Sequence, residues 1–423
     1  MRIDSIGFAK IIIILLCSFS LLFTPLEAIA KTEQQNYLTL EILEEQIGNS
    51  IQKDGHSTID LRNYIIDLSN PERELTRQFY QQINHIISRN TNPIVIDLSN
   101  SIVRGNLSLS QLGISTFVDE GALSSLLNPL EQNKIRQYYP VANDVPQHTE
   151  INVLRGSLYF NGTMFTGEID GSNSLFLQSF EATAANFQEL ANFDHSVFSQ
   201  DVNFSDSIFE QSVNFGKTHF FAKAKFNGSD FKGFADFSNS QFEEVLKFDK
   251  SLFEEIGDFS HSVFVQPIKF SRTMFRDRLN FAKAKFLDSL VLVDSTLEGT
   301  TILRDIYVKS LVNLQDTHIL NKIDLSNAFF ALNSRIDVSR LAFDSTEAKI
   351  TGQPGIIGKL IKVDRLSGNE IVLRNLIRNF RSLEQIADAN FIEYQQQRLR
   401  ERQIGDRLLE TQSNMFTWTL GKK

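Results

Sequence analysis

The stretch of sequence that decides the fold lies at residues 191–234, where successive blocks of eleven residues read ANFDHSVFSQD, VNFSDSIFEQS, VNFGKTHFFAK and AKFNGSDFKGF. Each block holds two regularly placed Phe residues, and the step from one to the next alternates between six and five residues. The same alternation links nineteen consecutive Phe positions without a slip. They are Phe187, Phe193, Phe198, Phe204, Phe209, Phe215, Phe220, Phe226, Phe231, Phe237, Phe242, Phe248, Phe253, Phe259, Phe264, Phe270, Phe275, Phe281 and Phe286.

Large apolar side chains continue this ladder on both sides of the Phe run. It extends from Leu154 to Leu341 and covers 35 positions, of which only Gly171 and Ala182 lack a large apolar side chain; the phase fails at Glu347. Steps of five and six match neither a helix, whose apolar residues recur at three, four and seven, nor a simple alternating strand. They are typical of a β-solenoid in which each short strand points one large side chain inward before a corner.

A column of hydroxyl residues stands two positions before every second Phe of the ladder. Its members are Ser196, Ser207, Thr218, Ser229, Ser240, Ser251, Ser262 and Thr273. Alternate residues of a strand share a face, so these side chains are predicted to point inward like the Phe. There they can bond to corner backbone that the ladder leaves unpaired, which favours a structural over a catalytic role.

Four short segments carry a family resemblance: Ala191-Asn192-Phe193, Val202-Asn203-Phe204, Val213-Asn214-Phe215 and Ala235-Asp236-Phe237. They resemble the pentapeptide-repeat family, whose unit has a small residue, Asn or Asp, then Leu or Phe, and two polar residues. The resemblance covers residues 154–341 and, less regularly, 94–109. It implies a right-handed quadrilateral parallel β-helix. Every second unit carries an extra residue, interpreted as a wider corner, so one coil is predicted to take two of the eleven-residue blocks; a three-faced β-helix of the same period is the alternative.

Composition narrows the protein class. The chain has 423 residues with 42% apolar and 22% charged residues, which excludes a wholly disordered chain and a multi-pass membrane protein. The single Cys excludes a disulfide-stapled fold and Cys-rich zinc modules. Residues 1–30 have the three parts of a signal peptide: Arg2 and Lys10, an apolar run from Ile11 to Phe23, and the small-x-small site Ala28-Ile29-Ala30. We therefore expect export to the periplasm, thylakoid lumen or cell exterior, with an uncleaved N-terminal anchor as the alternative.

Solenoid ends need covers, because an open coil exposes core and strand edge. Residues 31–92 are predicted to form the N-terminal cover, with helices at Leu40–Ile51 and Pro71–Ser88 and a strand at Thr58–Leu68. The first coil is placed at residues 93–110, an insertion with a helix near Leu123–Tyr138 at 111–150, and the main rod at 151–345. Residues 346–366 are predicted to be irregular.

A helical hairpin is predicted at residues 367–423, with helices over Leu373–Ala387 and Ala389–Glu410. This arrangement is similar to exported cyanobacterial members of the family. Arginines line one face of the second helix: Arg398, Arg400, Arg402 and Arg407. We expect them to pair with Glu393, Glu401 and Asp406, and contact with anionic lipid or a partner is the alternative.

The sequence predicts no catalytic, cofactor-binding or metal-binding residue and no cofactor. His195 and His261 are expected about 14 Å apart, three strand spacings along the axis, too far to share a metal ion. His219 and His318 are expected on opposite faces. The pairs Glu243-Glu244 and Glu254-Glu255 are expected at one recurring corner, as solvated edge residues. Residues 187–286 hold 14 acidic and 12 basic side chains, so a mimic of acidic duplex DNA and a nucleic-acid partner are not expected.

These observations favour a non-enzymatic, exported repeat protein that serves as a rigid scaffold or protein-interaction surface. An alternative is an extracytoplasmic sensory or assembly domain of a membrane-associated complex, attached through the C-terminal helices. A β-helix that binds or processes polysaccharide ranks third. The partner proteins are not identified by the sequence.

Overall fold

A computed structural model describes residues 36–49, 51–53, 56–90, 92–118, 123, 125–139 and 150–420. The predicted signal peptide, residues 1–30, lies outside the described residues. The chain divides into two units, Met1–Tyr37 and Leu38–Lys423. The described part of the first unit is the two-residue strand Asn36–Tyr37.

The second unit is built from coils with four short strands each. In one coil the chain passes through Val197–Phe198, Val202–Asn203, Ile208–Phe209 and Val213–Asn214, which belong to four different parallel sheets. We call these sheets faces 1, 2, 3 and 4 in that order. The next strand, His219–Phe220, returns to face 1, where His219 pairs with Val197, two blocks earlier in the chain. The coil is therefore four-faced, and the three-faced alternative is wrong.

The strands stack in register along each face, all parallel except Ile51–Lys53 and Ile114–Phe117, which pair antiparallel with their neighbours His56–Asp60 and Glu150–Leu154. Face 1 contains Ile114–Phe117, Glu150–Leu154, Ser174–Phe176, Val197–Phe198, His219–Phe220, Gln241–Phe242, Val263–Phe264, Lys285–Phe286, Tyr307–Val308 and Phe329–Phe330. Face 2 contains Ile51–Lys53, His56–Asp60, Ile94–Asp97, Ser157–Tyr159, Phe180–Glu181, Val202–Asn203, Ala224–Lys225, Leu246–Lys247, Ile268–Lys269, Leu290–Val291, Leu311–Asn313, Arg335–Asp337 and Ile361–Lys362. Face 3 includes Tyr64–Asp67, Ile102–Arg104, Met164–Phe165, Asn186–Phe187, Ile208–Phe209, Asp230–Phe231, Leu252–Phe253, Met274–Phe275, Thr296–Leu297, His318–Ile319 and Ala342–Phe343. Face 4 contains Leu107–Ser108, Ile169–Asp170, Ala191–Asn192, Val213–Asn214, Ala235–Asp236, Gly257–Asp258, Leu279–Asn280, Thr301–Ile302, Lys322–Leu325 and Lys349–Gly352.

The Phe ladder fills the interior as four stacked columns. Within a column, Phe237 lies 4.9 Å from Phe259 and 5.2 Å from Phe215, with ring planes 3° and 11° apart. Between columns the rings meet edge to face, as in Phe237 and Phe248 at 5.3 Å and 82°. Each fully buried Phe contributes roughly 1.5–3 kcal/mol of hydrophobic stabilisation, so these columns form the core of the rod.

The extra residue of every second unit does lie in a wider corner. A left-handed residue recurs every eleven positions from Asn173 to Asn327, and it occupies the corners between faces 2 and 3 and between faces 4 and 1. The connections at these corners are four residues long, as at 193–196, whereas the connections at the other two corners are three residues long, as at 199–201. The left-handed corners are therefore the wider ones, and Asn and Asp tolerate the left-handed conformation best among non-Gly residues.

Two gaps in the apolar ladder are filled by neighbours. The space inside Ala182 is taken by Phe180, whose ring lies 5.4 Å from Phe160 and 5.2 Å from Phe204. At Gly171 an added Cβ would lie 2.9 Å from the Phe193 ring. The core therefore stays packed where the ladder itself is interrupted.

The phase breaks earlier than predicted at the C-terminal end. Phe330 still pairs with Val308 in the regular register of two blocks, but the pairs of Ile336 with Val312 and of Phe343 with Ile319 are each two positions longer. The two extra residues follow Phe330 and loop out, which leaves Leu332 91% exposed. Phe343, rather than Leu341, thus continues the column, and placing the break at Glu347 was wrong.

The solenoid starts and ends in partial coils. The predicted strand Thr58–Leu68 is two strands, His56–Asp60 on face 2 and Tyr64–Asp67 on face 3. The segment predicted to be irregular, 346–366, contributes Lys349–Gly352 to face 4, the short helix Ile357–Leu360 and Ile361–Lys362 to face 2.

Helices cover both ends. The N-terminal helices are α1 (Leu40–Gly48) and α2 (Glu74–Arg89); the insertion holds a 3-10 turn at Ser110–Leu112 and α3 (Pro129–Tyr138), which begins with a capping box at Asn128. After the short helix α4 (Ile357–Leu360) come α5 (Glu370–Ser382) and α6 (Ile386–Leu420).

Amide side chains of the C-terminal cover pair the last strand edge. Asn379 of α5 is fully buried; it donates to the Ile350 carbonyl at 2.8 Å and accepts from the Ile350 amide at 3.2 Å. Gln385 donates to the Gly352 carbonyl at 2.9 Å. Because these groups occupy edge positions that another strand would pair with, the C-terminal helices close the sheet.

Candidate interaction surface

The hydroxyl column is a structural ladder. Ser240 is 1% exposed and donates to the Phe215 carbonyl at 2.7 Å, and Ser262 donates to the Phe237 carbonyl at the same distance. Equivalent bonds recur from Thr163 to Thr317. The predicted structural role is therefore confirmed, since each hydroxyl satisfies a corner carbonyl inside the rod.

The histidines are dispersed along the coils. His195 and His261 stand in the same left-handed corner position, three coils apart, and His195 contacts Asp194 at 2.7 Å. His219 lies on face 1 and His318 on face 3, so the predicted opposite placement is confirmed. Among the described residues, no group of three His, Cys, Asp or Glu side chains is arranged to hold a metal ion.

The two Glu pairs lie at opposite corners rather than at one recurring corner, because an eleven-residue block is half a coil. Glu243 contacts His219 Nε2 at 3.1 Å at the corner after face 1. Glu254 lies 3.4 Å from Arg276 at the corner after face 3. Glu244 lies next to Glu243 at the first of these corners, and Glu255 lies next to Glu254 at the second.

Face 1 differs from the other faces because the insertion covers its N-terminal part. Leu175 and Val197 point out of the rod, yet they are 0% and 4% exposed. They pack with Ile114, Val153 and Ile135 in a second apolar cluster outside the solenoid core. The insertion between the first coil and the main rod supplies this cover. Folding the insertion over face 1 buries apolar area that would otherwise face water.

A buried ion pair fastens this cover. Arg155 contacts both carboxylate oxygens of Glu131 on α3, at 2.6 Å and 2.7 Å, and it is 5% exposed. Its guanidinium also donates to backbone carbonyls of Ser88, at 3.0 Å, and Leu126. One side chain thereby joins α2, the insertion and the start of the rod. A cavity of about 200 Å³ beside it is lined by Pro93, Leu130, Lys134 and Gln178, among others.

His219 marks the edge of the covered part. Its ring stacks 3.7 Å from that of Phe221, which in turn lies 4.1 Å from Tyr138 at the end of α3. Burial lowers the pKa of His219, and the hydrogen bond to Glu243 opposes that change. His219 therefore packs under the insertion as part of its boundary.

Beyond Gln241, face 1 is not covered by the part of the chain that the structure describes. We define the apolar strip as Val263, Val265, Leu287, Tyr307, Phe329 and Leu332. Phe329 is 62% exposed and stacks on Tyr307 at 5.7 Å. Lys285 and Lys309 are exposed within and beside the strip. Sequence reasoning missed this surface, although its signal was present: the outward residue directly precedes the ladder residue at Phe264, Val308 and Phe330.

The C-terminal helix α6 leaves the body after a packed first half. Ala389, Ile392 and Leu399 are buried, whereas Ile404, Leu408 and Leu409 are 54–66% exposed. Glu393 pairs with Arg381 of α5 rather than with the arginines of its own helix, so that part of the predicted pairing is wrong. No helix among the described residues combines the length and apolar character needed to span a membrane.

Comparisons with protein-family models, curated proteins and solved structures gave no match to this chain. A parallel solenoid whose coils each take two eleven-residue blocks, with regular Phe ladders, is compatible with a pentapeptide-repeat protein.

Proposed function

We propose that this chain is an exported pentapeptide-repeat protein that acts as a rigid, non-enzymatic scaffold, and that the apolar strip of face 1 is the surface where a partner polypeptide binds. The stacked Phe columns support rigidity, because close-packed coils hold the surface positions in a fixed register. The hydroxyl column supports a structural rather than chemical use of the residues that repeat most strongly.

The uneven cover of face 1 carries this proposal. Outward apolar residues are buried by the insertion at Leu175 and Val197, and outward apolar residues return at Val263, Tyr307 and Phe329 without cover from the described chain. Leu287, Phe329 and Leu332 of the strip are exposed, and its other members are half-buried. Exposed apolar patches rimmed by polar residues mark interaction sites. The insertion also shows what kind of element fits this face: a short polypeptide that lays apolar side chains across the coils.

Two lysines at the edge of the apolar strip indicate that the partner carries acidic groups. Lys285 interrupts the strip and Lys309 lies at its corner, and both side chains are exposed. An apolar partner segment with carboxylates at its edge would bury the strip and pair these amines. The partner is thus a polypeptide with an apolar centre and an acidic rim.

Site-specific photocrosslinking in the native compartment tests this proposal. A photoreactive Phe analogue at Phe329 is expected to crosslink one discrete protein, and the same analogue at Met274, an outward residue of face 3 that is 37% exposed, is not. The double variant Leu287→Glu with Tyr307→Glu should abolish the product at Phe329. Identical products from both positions, or no effect of the double variant, would refute the proposal.

The second candidate is a sensory or assembly domain of a membrane-associated complex, and the exposed apolar residues of α6 favour it. Ile404, Leu408 and Leu409 lie beyond the part of α6 that packs on the body. Removing residues 401–423 leaves α5 and the buried Leu399 in place, so the end of the rod stays covered. Membrane fractionation should then change from partly bound to fully soluble; soluble behaviour of both proteins would count against this candidate.

A further inference from the structure

Three lysines form an in-register column on the outer surface of face 2. Lys225 pairs with Lys247, and Lys247 pairs with Lys269, in consecutive strands of one parallel sheet. Neighbouring strands lie about 4.8 Å apart, so the three side chains emerge in a line about 10 Å long. We call this set the lysine column. None of the three forms an ion pair within 4 Å among the described residues, whereas Lys232 of the same coil pairs with Glu210.

Like charges at directly opposed positions destabilise a sheet. One corner of the rod avoids this conflict. At the corner after face 3, the residues one coil apart alternate in sign: Glu210, Lys232, Glu254, Arg276 and Glu298. Two of their contacts are ion pairs, Lys232 with Glu210 at 2.7 Å and Arg276 with Glu254 at 3.4 Å. Asp236 and Asp258 of face 4 also pair directly, but each accepts a backbone amide at 2.8 Å, from Ser238 and Ser260. The lysine column differs because its side chains form no ion pair within 4 Å among the described residues.

The solenoid itself does not need lysine at these positions. Several other coils of face 2 hold Asn or Asp at this position, which accepts the amide two residues on; examples are Asn203 with Ser205 at 3.1 Å and Asn313 with Gln315 at 3.0 Å. Further coils hold Tyr159, Glu181 and Val291 there. In the coils of Lys247 and Lys269, that corner amide bonds instead to an Asn or Asp side chain at the same corner of the preceding coil. Asn227 accepts the Asp249 amide at 3.2 Å, and Asp249 accepts the Ser271 amide at 2.9 Å.

Nearby residues add to the positive character of this stretch. Lys223, Lys250 and Arg272 are exposed at the corners that border the column. Of the acidic residues in the same coils, Glu243 contacts His219 and Gln241, and Asp249 is occupied by the Ser271 amide. Glu244 is exposed at the corner before Lys247. The local surface thus carries more cations than acids although the whole chain has a net charge of −9.

We propose that the lysine column binds a linear acidic polysaccharide that lies along the axis of face 2. A polymer with one carboxylate on each monomer presents charges in a line, and a sugar unit has a length comparable to the spacing of about 4.8 Å between strands. Each carboxylate can then meet one ammonium group, which removes the repulsion within the column. Because the three lysines are half-buried at the surface of the sheet rather than enclosed, we expect moderate affinity that falls with added salt. This inference concerns a different face from the apolar strip and does not depend on it.

Titration of the purified full chain with an oligogalacturonate, followed by calorimetry, tests this inference. A neutral linear glucan of the same length serves as the ligand control. Substituting all three lysines, Lys225→Gln, Lys247→Gln and Lys269→Gln, should lower the affinity about tenfold or more, and the matching triple Arg variant should retain it. The charge control is Lys232→Gln with Arg276→Gln, which removes two cations outside the column and should leave binding unchanged.

Stability separates binding from a structural role. The triple Gln variant should melt at the same temperature as the parent chain or higher, because it removes like-charge repulsion, whereas the control variant should not gain stability. The inference is overturned by equal binding of the glucan and the oligogalacturonate, or by unchanged affinity in the triple Gln variant. Stronger binding to phosphatidylglycerol vesicles or to single-stranded DNA than to the oligogalacturonate would also overturn it.

Discussion

Replacing Phe237 with Ala tests the stacked interior most directly. Phe237 is 0% exposed and stacks between Phe215 and Phe259 at 5.2 Å and 4.9 Å. Phe226 and Phe248 meet it edge to face, each at 5.3 Å. A fifth ring, that of Phe231, meets it edge to face at 6.2 Å, so the variant removes one buried ring and five ring contacts and leaves a cavity between three coils.

The magnitude follows from these contacts. Phe-to-Ala changes in packed cores cost about 3–5 kcal/mol, and aromatic pairs add roughly 0.5–1.5 kcal/mol beyond their area. With neighbours on both sides along the axis, relaxation of the backbone is restricted by the strand ladder. We therefore expect a loss near the upper end, about 4–5 kcal/mol of unfolding free energy.

Denaturant unfolding followed by circular dichroism measures this loss, and native-state hydrogen exchange locates it. Because coils contact only their neighbours, exchange should accelerate most in the strands around Phe215, Phe237 and Phe259. Phe329→Ala is the matched control: Phe329 is 62% exposed, and its loss should change stability by about 0.5 kcal/mol or less. An effect of Phe237→Ala below about 1 kcal/mol, or equal to that of Phe329→Ala, would refute the stacked-column account.

Two further predictions concern the insertion and its edge. Arg155→Met should leave Glu131 buried without its partner and lower the free energy of unfolding by about 3–5 kcal/mol. Proteolysis and hydrogen exchange should then become faster across Ile114–Phe117 and α3. The control Arg136→Met, an exposed change on α3, should not have this effect, and equal protection in both variants would contradict the role of the ion pair. Burial lowers the pKa of His219 below its usual 6.5, so the unfolded chain takes up a proton first as the pH falls, and stability should drop below about pH 6.5 until the folded pKa is passed. His219→Gln should remove that drop and His261→Gln should keep it; an identical pH dependence in the parent chain and in His219→Gln would argue against a buried neutral His219.

The ladder and its period could be predicted because the same local requirement recurs in every strand. Each short strand must place an apolar side chain inward, so the steps of five and six appear directly in the chain. The inward hydroxyls were predictable for the same reason: Ser196 and Ser240 share the face of their neighbouring Phe. The left-handed corners follow the same eleven-residue period.

The apolar strip and the lysine column were harder to see. The signal for Val263, Tyr307 and Phe329 is the residue directly before the ladder residue, and that for Lys225, Lys247 and Lys269 is a repeat in every second block. Both patterns gain meaning only when the coil length and the covered part of each face are known. Burial of Leu175 by the insertion depends on residues far away in the chain, which no local pattern contains.

The sequence by itself determined the solenoid, because its repeat encodes which side chain faces inward in every strand. The tertiary structure alone decided where the repeat stops and what covers it. The break after Phe330, the use of Phe180 beside Ala182, and the Asn379 cap depend on which coil lies next to which. These are contacts between residues that belong to different coils or to a coil and its cover. Side-chain packing and the pairing of strand edges depend on contacts between different coils. The sequence of a single repeat therefore does not show them.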